Sequence, residues 1–362
     1  MAAVVAAEDA LAALARRPVR EFAVLAALAV ATAFAFVLAV GLGSVRIAPG
    51  EVIAILLGDT PTRASFATIV HDVRLPRALT ALLAGGALGV AGLQMQTLLR
   101  NPLADPFVLG ISSGASLGVA LVVLGGGGAA AAVFAGGLGI GGDALLTLAA
   151  IAGALLVLGP ALALSARLAG PATVLVVGLM FGYAVQSFVT ILVAGASPER
   201  LQRWIAWGFG SFGGVTWDKV PVFAPPLVLG IVVAAATVKP LNAMLLGETY
   251  ARSMGVDARA MRIATMAGAS VLAGVVTAFC GPIAFLGVAV PHLARGLTGT
   301  SDHRILVPAV ILLGGVLALA AQVVALLPGS AGTLPLNAVT SLIGAPVVIA
   351  VILRARKGAF AA

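Results

Sequence analysis

The chain has 362 residues, of which 61% are hydrophobic and 9% are charged, and its formal net charge is +8. Such a composition excludes an ordinary soluble globular domain, because so few charged side chains cannot cover a water-facing surface. It predicts an all-α polytopic membrane protein. A transmembrane β-barrel would instead show short strands of alternating hydrophobicity, and the apolar runs here are continuous.

Ten apolar runs follow one another along the chain, each near the roughly 20 residues that an α-helix needs to cross a bilayer. They lie at residues 22–42, 77–99, 107–124, 144–166, 172–195, 221–238, 263–280, 282–297, 305–327 and 336–353. The first is longer than the core of a cleaved secretory signal, so we interpret it as an uncleaved helix. The segment Gly125–Gly142 is so rich in Gly and Ala that its helix ends cannot be placed from the sequence. The predicted number of spans can therefore differ from ten by one.

The basic residues predict the orientation, because short cytoplasmic loops carry the excess of Lys and Arg. With the N-terminus inside, ten spans place 14 of the 21 basic residues inside and 7 outside. The predicted organisation is a cytoplasmic segment 1–21, a membrane domain 22–355 and a cytoplasmic tail 356–362. The basic residues are scattered singly between spans, which disfavours nucleic-acid binding.

The apolar runs carry no Asp, Glu or Lys. An ion-coupled secondary transporter is therefore disfavoured, because moving a proton or sodium ion needs an ionisable group within the membrane. A lone His292 is more often a packing residue than a proton relay. No Lys follows a Gly, so the phosphate-binding loop GxxxxGK[ST] is absent and another polypeptide must hydrolyse the ATP of any active transport. The single Cys280 excludes an intramolecular disulfide and a multi-cysteine metal site, and no cofactor is predicted.

The longest predicted cytoplasmic segment, about 241–262, contains a short helix between Gly247 and Gly255 that is too brief and polar to span a membrane. An isolated helix of this length is marginal. Spacing alone therefore favours an ordinary amphipathic loop. The alternative is a connection to the polypeptide that supplies energy.

Seven motifs occur in a specific order and spacing. They are RLPR at 74–77, RNPLADPFVLG at 100–110, SSGAS at 112–116, LGETYARSMGV at 246–256, CGPIAFLGVAVPHLAR at 280–295, SDHR at 301–304 and LIGAP at 342–346. Together they resemble the permease subunit of ABC importers for iron chelates and vitamin B12, and the resemblance covers roughly residues 22–355.

This resemblance implies ten helices per subunit and a homodimer in the bacterial inner membrane, with the pathway along its two-fold axis. It also implies two cytoplasmic ATPase subunits and an extracytoplasmic substrate-binding protein. The expected substrate is an iron chelate, either a ferric siderophore or haem, with cobalamin as the alternative.

The resemblance also assigns candidate residues on the cytoplasmic side. It makes the short helix a coupling helix that enters a cleft on the ATPase, which reverses the preference for an ordinary loop. The matching residues are Gly247, Glu248, Ala251, Arg252 and Gly255.

On the outer side, the resemblance makes Arg74 and Arg77 docking residues for acidic groups of the binding protein. Their alternative role is to anchor the chain to lipid headgroups. One departure from similar permeases lies before the last span, where the pattern ELPxG is replaced by TLPLN with Thr333 and Asn337. This departure puts an outer contact by the acidic residue in doubt.

The resemblance also implies that the pathway lies near span five, the loop that follows it and the last span. Met180, Tyr183 and Ser187 share one face of span five, while Asn337 and Ser341 share a face of the last span. Packing within one subunit is the alternative for both faces. Trp207 lies in the outer loop, where interfacial anchoring is the default role for clustered tryptophans and gating is the alternative.

Two further patterns concern the fold. NPLADPFVLGI at 101–111 and GPIAFLGVA at 281–289 share a Pro near the start and an aromatic-aliphatic-Gly run, as an inverted-topology repeat would produce. Small residues predict close helix contacts in lipid, although a general Ala/Gly bias is an equal alternative. They are Gly85, Gly86, Gly89 and Gly92 in span two and Gly268 and Gly274 in span seven.

Overall fold

The computed structural model describes residues 2–43, 45, 47–125, 142–165, 171–326 and 333–359. Every regular element within those ranges is helical, so the all-α prediction is confirmed. The α-helices are α1 (Ala2–Gly41), α2 (Pro49–Leu56), α3 (Ala64–Thr68), α4 (Leu75–Leu99), α5 (Ile111–Val123), α6 (Gly142–Ser165), α7 (Pro171–Ala194), α8 (Pro198–Gly208), α9 (Val220–Ala236), α10 (Val238–Leu245), α11 (Glu248–Ser253), α12 (Ala258–Cys280), α13 (Leu286–Thr298), α14 (His303–Ala325) and α15 (Leu336–Ala359).

Each predicted apolar run coincides with one of these helices, and a polytopic membrane protein is confirmed. Among the described residues, six helical stretches are long and apolar enough to cross a membrane by themselves: Val19–Gly41, Ala64–Leu99, Ala144–Ala161, Leu175–Ala194, Ala258–Cys280 and His303–Ala325. A further candidate span consists of α9 and α10, which are bent by 57° relative to each other. The helices α5 and α13 have 13 residues each. The count of ten spans stays a prediction.

The helix α1 continues without a break from Ala2 to Gly41, so it includes most of the predicted segment 1–21 together with the first apolar run. The cytoplasmic location of segment 1–21 stays a prediction. Arg295, predicted on the cytoplasmic side of its run, lies in the last turn of α13. The open region at 126–141 lies outside the described residues.

The central helix is α4, and glycines determine its packing. A Cβ atom at Gly85 would overlap the carbonyl of Gly314 in α14, and one at Gly92 would overlap the carbonyl of Gly287 in α13. At these positions only glycine allows the two backbones to approach so closely. The close-packing interpretation is therefore confirmed for α4. The glycines of α12 have more space, since a Cβ at Gly274 would lie 3.4 Å from the nearest side-chain atom.

Two irregular breaks interrupt the bundle, as the prolines predict. The first runs from Arg100, in the left-handed region at φ 47°, to Gly110 at φ 77°, and the second includes Gly281 at φ 75° and Phe285 at φ 69°. The two breaks meet inside the protein, because a Cβ at Gly287 would lie 2.6 Å from Cδ of Pro106. Irregular backbone at membrane depth is tolerated where protein surrounds it in this way.

Candidate functional site

The predicted short helix is present as α11 and is set off by two glycines. Gly247 has φ 118° and Gly255 has φ 82°, backbone values that residues with a Cβ rarely adopt. Ala251 is fully buried, and the side chain of Arg252 is 66% exposed. The helix therefore docks on the protein by one face and presents the other outward.

Glu248 fixes α11 to the next helix. Its Oε1 lies 2.5 Å from Nη2 of Arg262 in α12, and its Oε2 lies 3.5 Å from Nη2 of Arg252. The contact with Arg262 is the stronger one, because that side chain is 15% exposed and less screened by water.

A groove runs beside α11. It is a cavity of about 690 Å³ whose walls include Leu98 and Arg100 at the end of α4 and Glu248 and Tyr250 of α11. Around it Leu246 is 68% exposed and Met254 is 60% exposed. Exposed apolar side chains beside a polar groove are typical of a surface that another protein covers.

A buried hydrogen-bond network lies at the base of this segment and was missed from the sequence. In α10, Asn242 donates its Nδ2 proton to Oδ1 of Asp302 at 2.6 Å, and its own Oδ1 accepts from the backbone N–H of His303 at 2.9 Å. The imidazole of His303 is also 2.7 Å from Oδ1 of Asn242 and 2.8 Å from Oγ1 of Thr97 in α4. The motif SDHR at 301–304 was the only feature of the sequence that pointed to this network, and nothing in the sequence indicates that Asn242 and Thr97 are its partners.

The structure places Arg74 inside the protein. Its guanidinium donates to the backbone carbonyls of Val40 at 2.9 Å, Gly41 at 2.7 Å and Val45, and the residue is 6% exposed. Docking and headgroup anchoring both need an exposed side chain. The arrangement instead gives Arg74 the role of fixing the end of α1 and the loop after it onto the start of α4.

Arg77, one turn later, remains partly accessible. It lines a cavity of about 240 Å³ together with Ser211, Gln322 and Thr333. Its Nε and Oε1 of Gln322 are buried, and neither has a hydrogen-bond partner among the described residues. A charged donor and an acceptor without partners therefore belong to the residues that line this cavity.

The predicted pathway residues of α7 lie on an open surface. Met180 is 51% exposed and Tyr183 is 61% exposed, and Ser187 is exposed on the same face. The hydroxyl of Ser187 donates to the carbonyl of Tyr183 at 2.9 Å, one turn before it. The hydroxyl of Ser187 is thus satisfied within the helix.

Asn337 and Ser341 are in a different environment. Oδ1 of Asn337 accepts from the N–H of Ala284 at 3.0 Å, its N–H donates to the carbonyl of Phe209 at 2.9 Å, and Ser341 donates to its carbonyl at 2.7 Å. Asn337 therefore ties α15 to the end of α8 and to the second break. The side chain of Trp207 is half-buried against the core, so it packs within the subunit.

Within the described ranges, no group of three or more His, Cys, Asp or Glu could hold a metal ion. The chemistry of these sites consists of hydrogen bonding, charge pairing and steric passage. No arrangement of a nucleophile with a base was found at the coupling, docking or pathway residues.

The comparisons with known proteins agree with one another. The sequence profile of the FecCD transport family matches residues 31–354. The vitamin B12 import system permease protein BtuC of Citrobacter koseri is 32% identical over 333 residues, 92% of this chain and 94% of the relative. The protein of the same name from an Escherichia coli strain is 34% identical over 290 residues, 80% of this chain and 84% of the relative.

A solved structure agrees as well. An inward-facing conformation of a metal-chelate type ABC transporter has a TM-score of 0.78 and 25% identity to this chain, and the match covers 91% of this chain and 98% of the other. The fold, the order of the motifs and the length of the match all lead to one assignment. The chain belongs to the FecCD transport family and is the permease subunit of a bacterial ABC importer.

Proposed function

We propose that this permease forms a homodimer that imports a large metal chelate, with cobalamin as the first substrate to test. The relatives named for vitamin B12 import support cobalamin. The metal-chelate type neighbour supports a ferric siderophore or haem as the second candidate. A permease of this kind is a transport component of the inner membrane, operates with a separate ATPase and a substrate-binding protein, and is not itself an enzyme.

The exposed face of α7 is the observation that carries the dimer and the pathway. Only 17% of this span is buried in the subunit, and its exposed side chains include the polar Tyr183, Gln186 and Ser187 beside the apolar Phe188 and Ile191. The span Val19–Gly41 of α1 is similarly open, with 22% buried, but its exposed large side chains, such as Phe22, Val30 and Phe34, are apolar. The polar groups on α7 support a second subunit and a water-filled pathway against that helix, whereas the apolar surface of α1 is suited to lipid.

The proposed topology has ten spans, with α5 and α13 as two short ones and both termini in the cytoplasm. In this topology the first break begins at the cytoplasmic side and the second at the outer side. Each break is followed by a helix of 13 residues, which supports the inverted repeat.

We assign ATPase coupling to α11, with Gly247, Glu248, Ala251, Arg252 and Gly255 as its residues. The exposed face of this helix and the groove beside it support the assignment. Docking of the binding protein is assigned to Arg77 alone, because it has a donor without a partner among the described residues, while Arg74 is engaged inside the subunit. Met180, Tyr183, Ser187 and Trp207 are proposed to line or border the pathway, and Asn337 and Ser341 to hold the second break.

The central experiment reconstitutes the chain in proteoliposomes with its ATPase and binding protein, and measures uptake of radiolabelled cobalamin. Uptake should require ATP and both partners. A ferric siderophore and haem are tested in parallel with the same vesicles. Uptake of any of these ligands that persists without ATP but follows an imposed ion gradient would contradict the proposal.

The coupling assignment has its own test. Glu248→Gln should release α11 from Arg262 and lower transport per ATP hydrolysed at least several-fold, while the membrane domain remains folded. Asp257→Asn is the matched control, because this carboxylate caps α12 next to α11 and Asn can keep the caps to Arg259 and Ala260. Equal transport by both variants would show that α11 is an ordinary loop.

A further inference from the structure

A groove at the bend between α9 and α10 has no part in the proposed transport cycle. Thr237 lies at this bend, where its hydroxyl is 3.0 Å from the carbonyls of Val233 and Ala234. The first turns of α14 form the opposite wall. The groove is a cavity of about 490 Å³ lined by Ala235, Ala236, Val238, Lys239, His303, Arg304, Val307 and Pro308.

The groove carries two positive charges and no lining carboxylate. Lys239 and Arg304 are both exposed, and among the described residues neither forms an ion pair. The nearest acidic group in sequence is Asp302, whose Oδ1 accepts from Nδ2 of Asn242 at 2.6 Å and from the backbone N–H of Arg304 at 2.8 Å. Asp302 also interacts electrostatically with Arg304 and offsets part of its charge, while the lining of the groove itself, with Lys239 and Arg304, stays positive and holds no carboxylate.

The walls below the charges are rigid and apolar. His303 is 1% exposed and is held by Asn242 and Thr97, so the floor of the groove is fixed before any ligand arrives. Val307 and Pro308 continue this wall along α14. On α9, a stripe of exposed side chains leads away from the groove: Val228, Leu229, Val232 and Val233.

The position of the groove relates it to the membrane surface. Lys239 follows the end of α9, and Arg304 is the second residue of the candidate span His303–Ala325. Basic side chains at the ends of spans extend to the level of the lipid headgroups, and basic pockets between spans bind anionic headgroups. An ATPase contact would not need the apolar stripe along α9.

We propose that this groove binds an anionic phospholipid, with Lys239 and Arg304 contacting its phosphate and the apolar stripe of α9 contacting an acyl chain. The leaflet, which is the cytoplasmic one, rests on the proposed orientation. The binding itself does not depend on the transported substrate or on the coupling assignment. A failure here would therefore leave the proposed function untouched.

The test uses the purified full-length chain in detergent and native mass spectrometry with added phosphatidylglycerol, phosphatidylcholine or inorganic phosphate. Phosphatidylglycerol should be retained under activation that removes phosphatidylcholine. Lys239→Gln with Arg304→Gln should weaken its binding on the order of 30-fold, the effect expected of two cations beside an anionic headgroup. Arg259→Gln, an exposed cation outside the groove, should change it less than twofold.

Two further arms complete the test. The charge-preserving pair Lys239→Arg and Arg304→Lys should retain the lipid, which separates loss of charge from loss of folding. Equal retention of phosphatidylglycerol by the neutralised variant and by Arg259→Gln would overturn the proposal. So would inorganic phosphate binding as tightly as the lipid, or a neutralised variant that loses only its assembly with the ATPase.

Discussion

The helices α4 and α7 have nearly the same length, 25 and 24 residues, and both are apolar, yet 83% of the span that contains α4 is buried and only 17% of the α7 span. Hydropathy cannot distinguish them. The difference lies in what each helix presents: α4 has Gly85 and Gly92 against the backbones of α14 and α13, whereas α7 exposes Tyr183 and Ser187. Gly178 and Gly182 of α7 are also four residues apart, as Gly85 and Gly89 are in α4, so the spacing of small residues does not separate the two helices. The difference is that the glycines of α4 lie directly against the backbones of other helices, while a Cβ at Gly182 would meet no atom closer than 3.6 Å.

The largest expected effect comes from filling the glycine contacts of α4. Gly92→Ala forces the backbones of α4 and α13 apart, and overpacking of this kind costs roughly 3 kcal/mol or more. Folded yield and thermal stability, measured by fluorescence-detected size exclusion, should fall sharply. Gly159→Ala in α6 is the control, since nothing lies within 4 Å of the new methyl group. Equal stability of the two variants would contradict the comparison of α4 with α7.

Loss of the buried guanidinium should be nearly as severe. Arg74→Met leaves the carbonyls of Val40 and Gly41 without their donor, and breaking a buried hydrogen bond to a charged group costs about 2 to 3 kcal/mol. The loss of stability in this variant is measured by the same thermal assay. Arg63→Met, at an exposed arginine, should stay within about 0.5 kcal/mol of the parent. An Arg74 variant that folds normally but fails to bind the binding protein would restore Arg74 as a docking residue.

For α7 the expected effect is on transport and not on folding. Ser187→Trp should lower uptake at least fivefold while thermal stability stays within about 0.5 kcal/mol, because the site is open in the isolated subunit. Phe34→Trp on α1, at a side chain 65% exposed, is the matched control and should transport normally. If both variants transport equally, the α7 face contacts lipid.

Thiol labelling compares Ser187 and Asn337, which the sequence analysis predicts to line the same pathway. In a Cys280→Ser background, a cysteine at Ser187 should react with a bulky water-soluble reagent. A cysteine at Asn337 should react at least tenfold more slowly, because the side chain it replaces bonds the backbone of Ala284 inside the protein. Rates are compared with an outer-loop cysteine at Asp218. Equal labelling rates at positions 187 and 337 would mean that Asn337 lines the pathway after all.

The smallest effect concerns the first break. Burial raises the pKa of the Asp105 carboxyl to about 6, although the N–H of Phe107 donates to it. The unfolded value is about 3.9, so stability falls as pH rises between these values, and the cost is fully present at neutral pH. Asp105→Asn should raise thermal stability at pH 7.5, and this gain should vanish near pH 4.

A second carboxyl tests the sign of this effect. At Asp218 the hydrogen bond from Thr216 lowers the pKa, so the charged form is the favoured one. Asp218→Asn should give no gain at pH 7.5. A gain at both positions would mean that removal of negative charge in general, and not burial, is stabilising.

The sequence predicts the helices well because apolar length and proline positions are local properties. It also predicts α11, since Gly247 and Gly255 delimit it. Long-range partners are not local: Arg74 looks exposed in the motif RLPR because its acceptors include backbone carbonyls at the end of α1, which have no sequence signature. Likewise, nothing in TLPLN indicates that Asn337 bonds to Ala284, and the glycines of α4 and α12 look alike until their neighbours are known.

The contact between Gly85 and Gly314 has a consequence for synthesis. The two residues are 229 positions apart, since 314 minus 85 is 229. At a typical bacterial elongation rate, α4 is inserted roughly 10 to 45 seconds before its principal neighbour leaves the ribosome. During that interval its glycine face has no native cover, so lipid or an insertion chaperone must occupy it and must leave again when α14 arrives. The glycine face of α4, which is tightly packed in the folded protein, is therefore without its native partner α14 for much of the time that the chain is being synthesised.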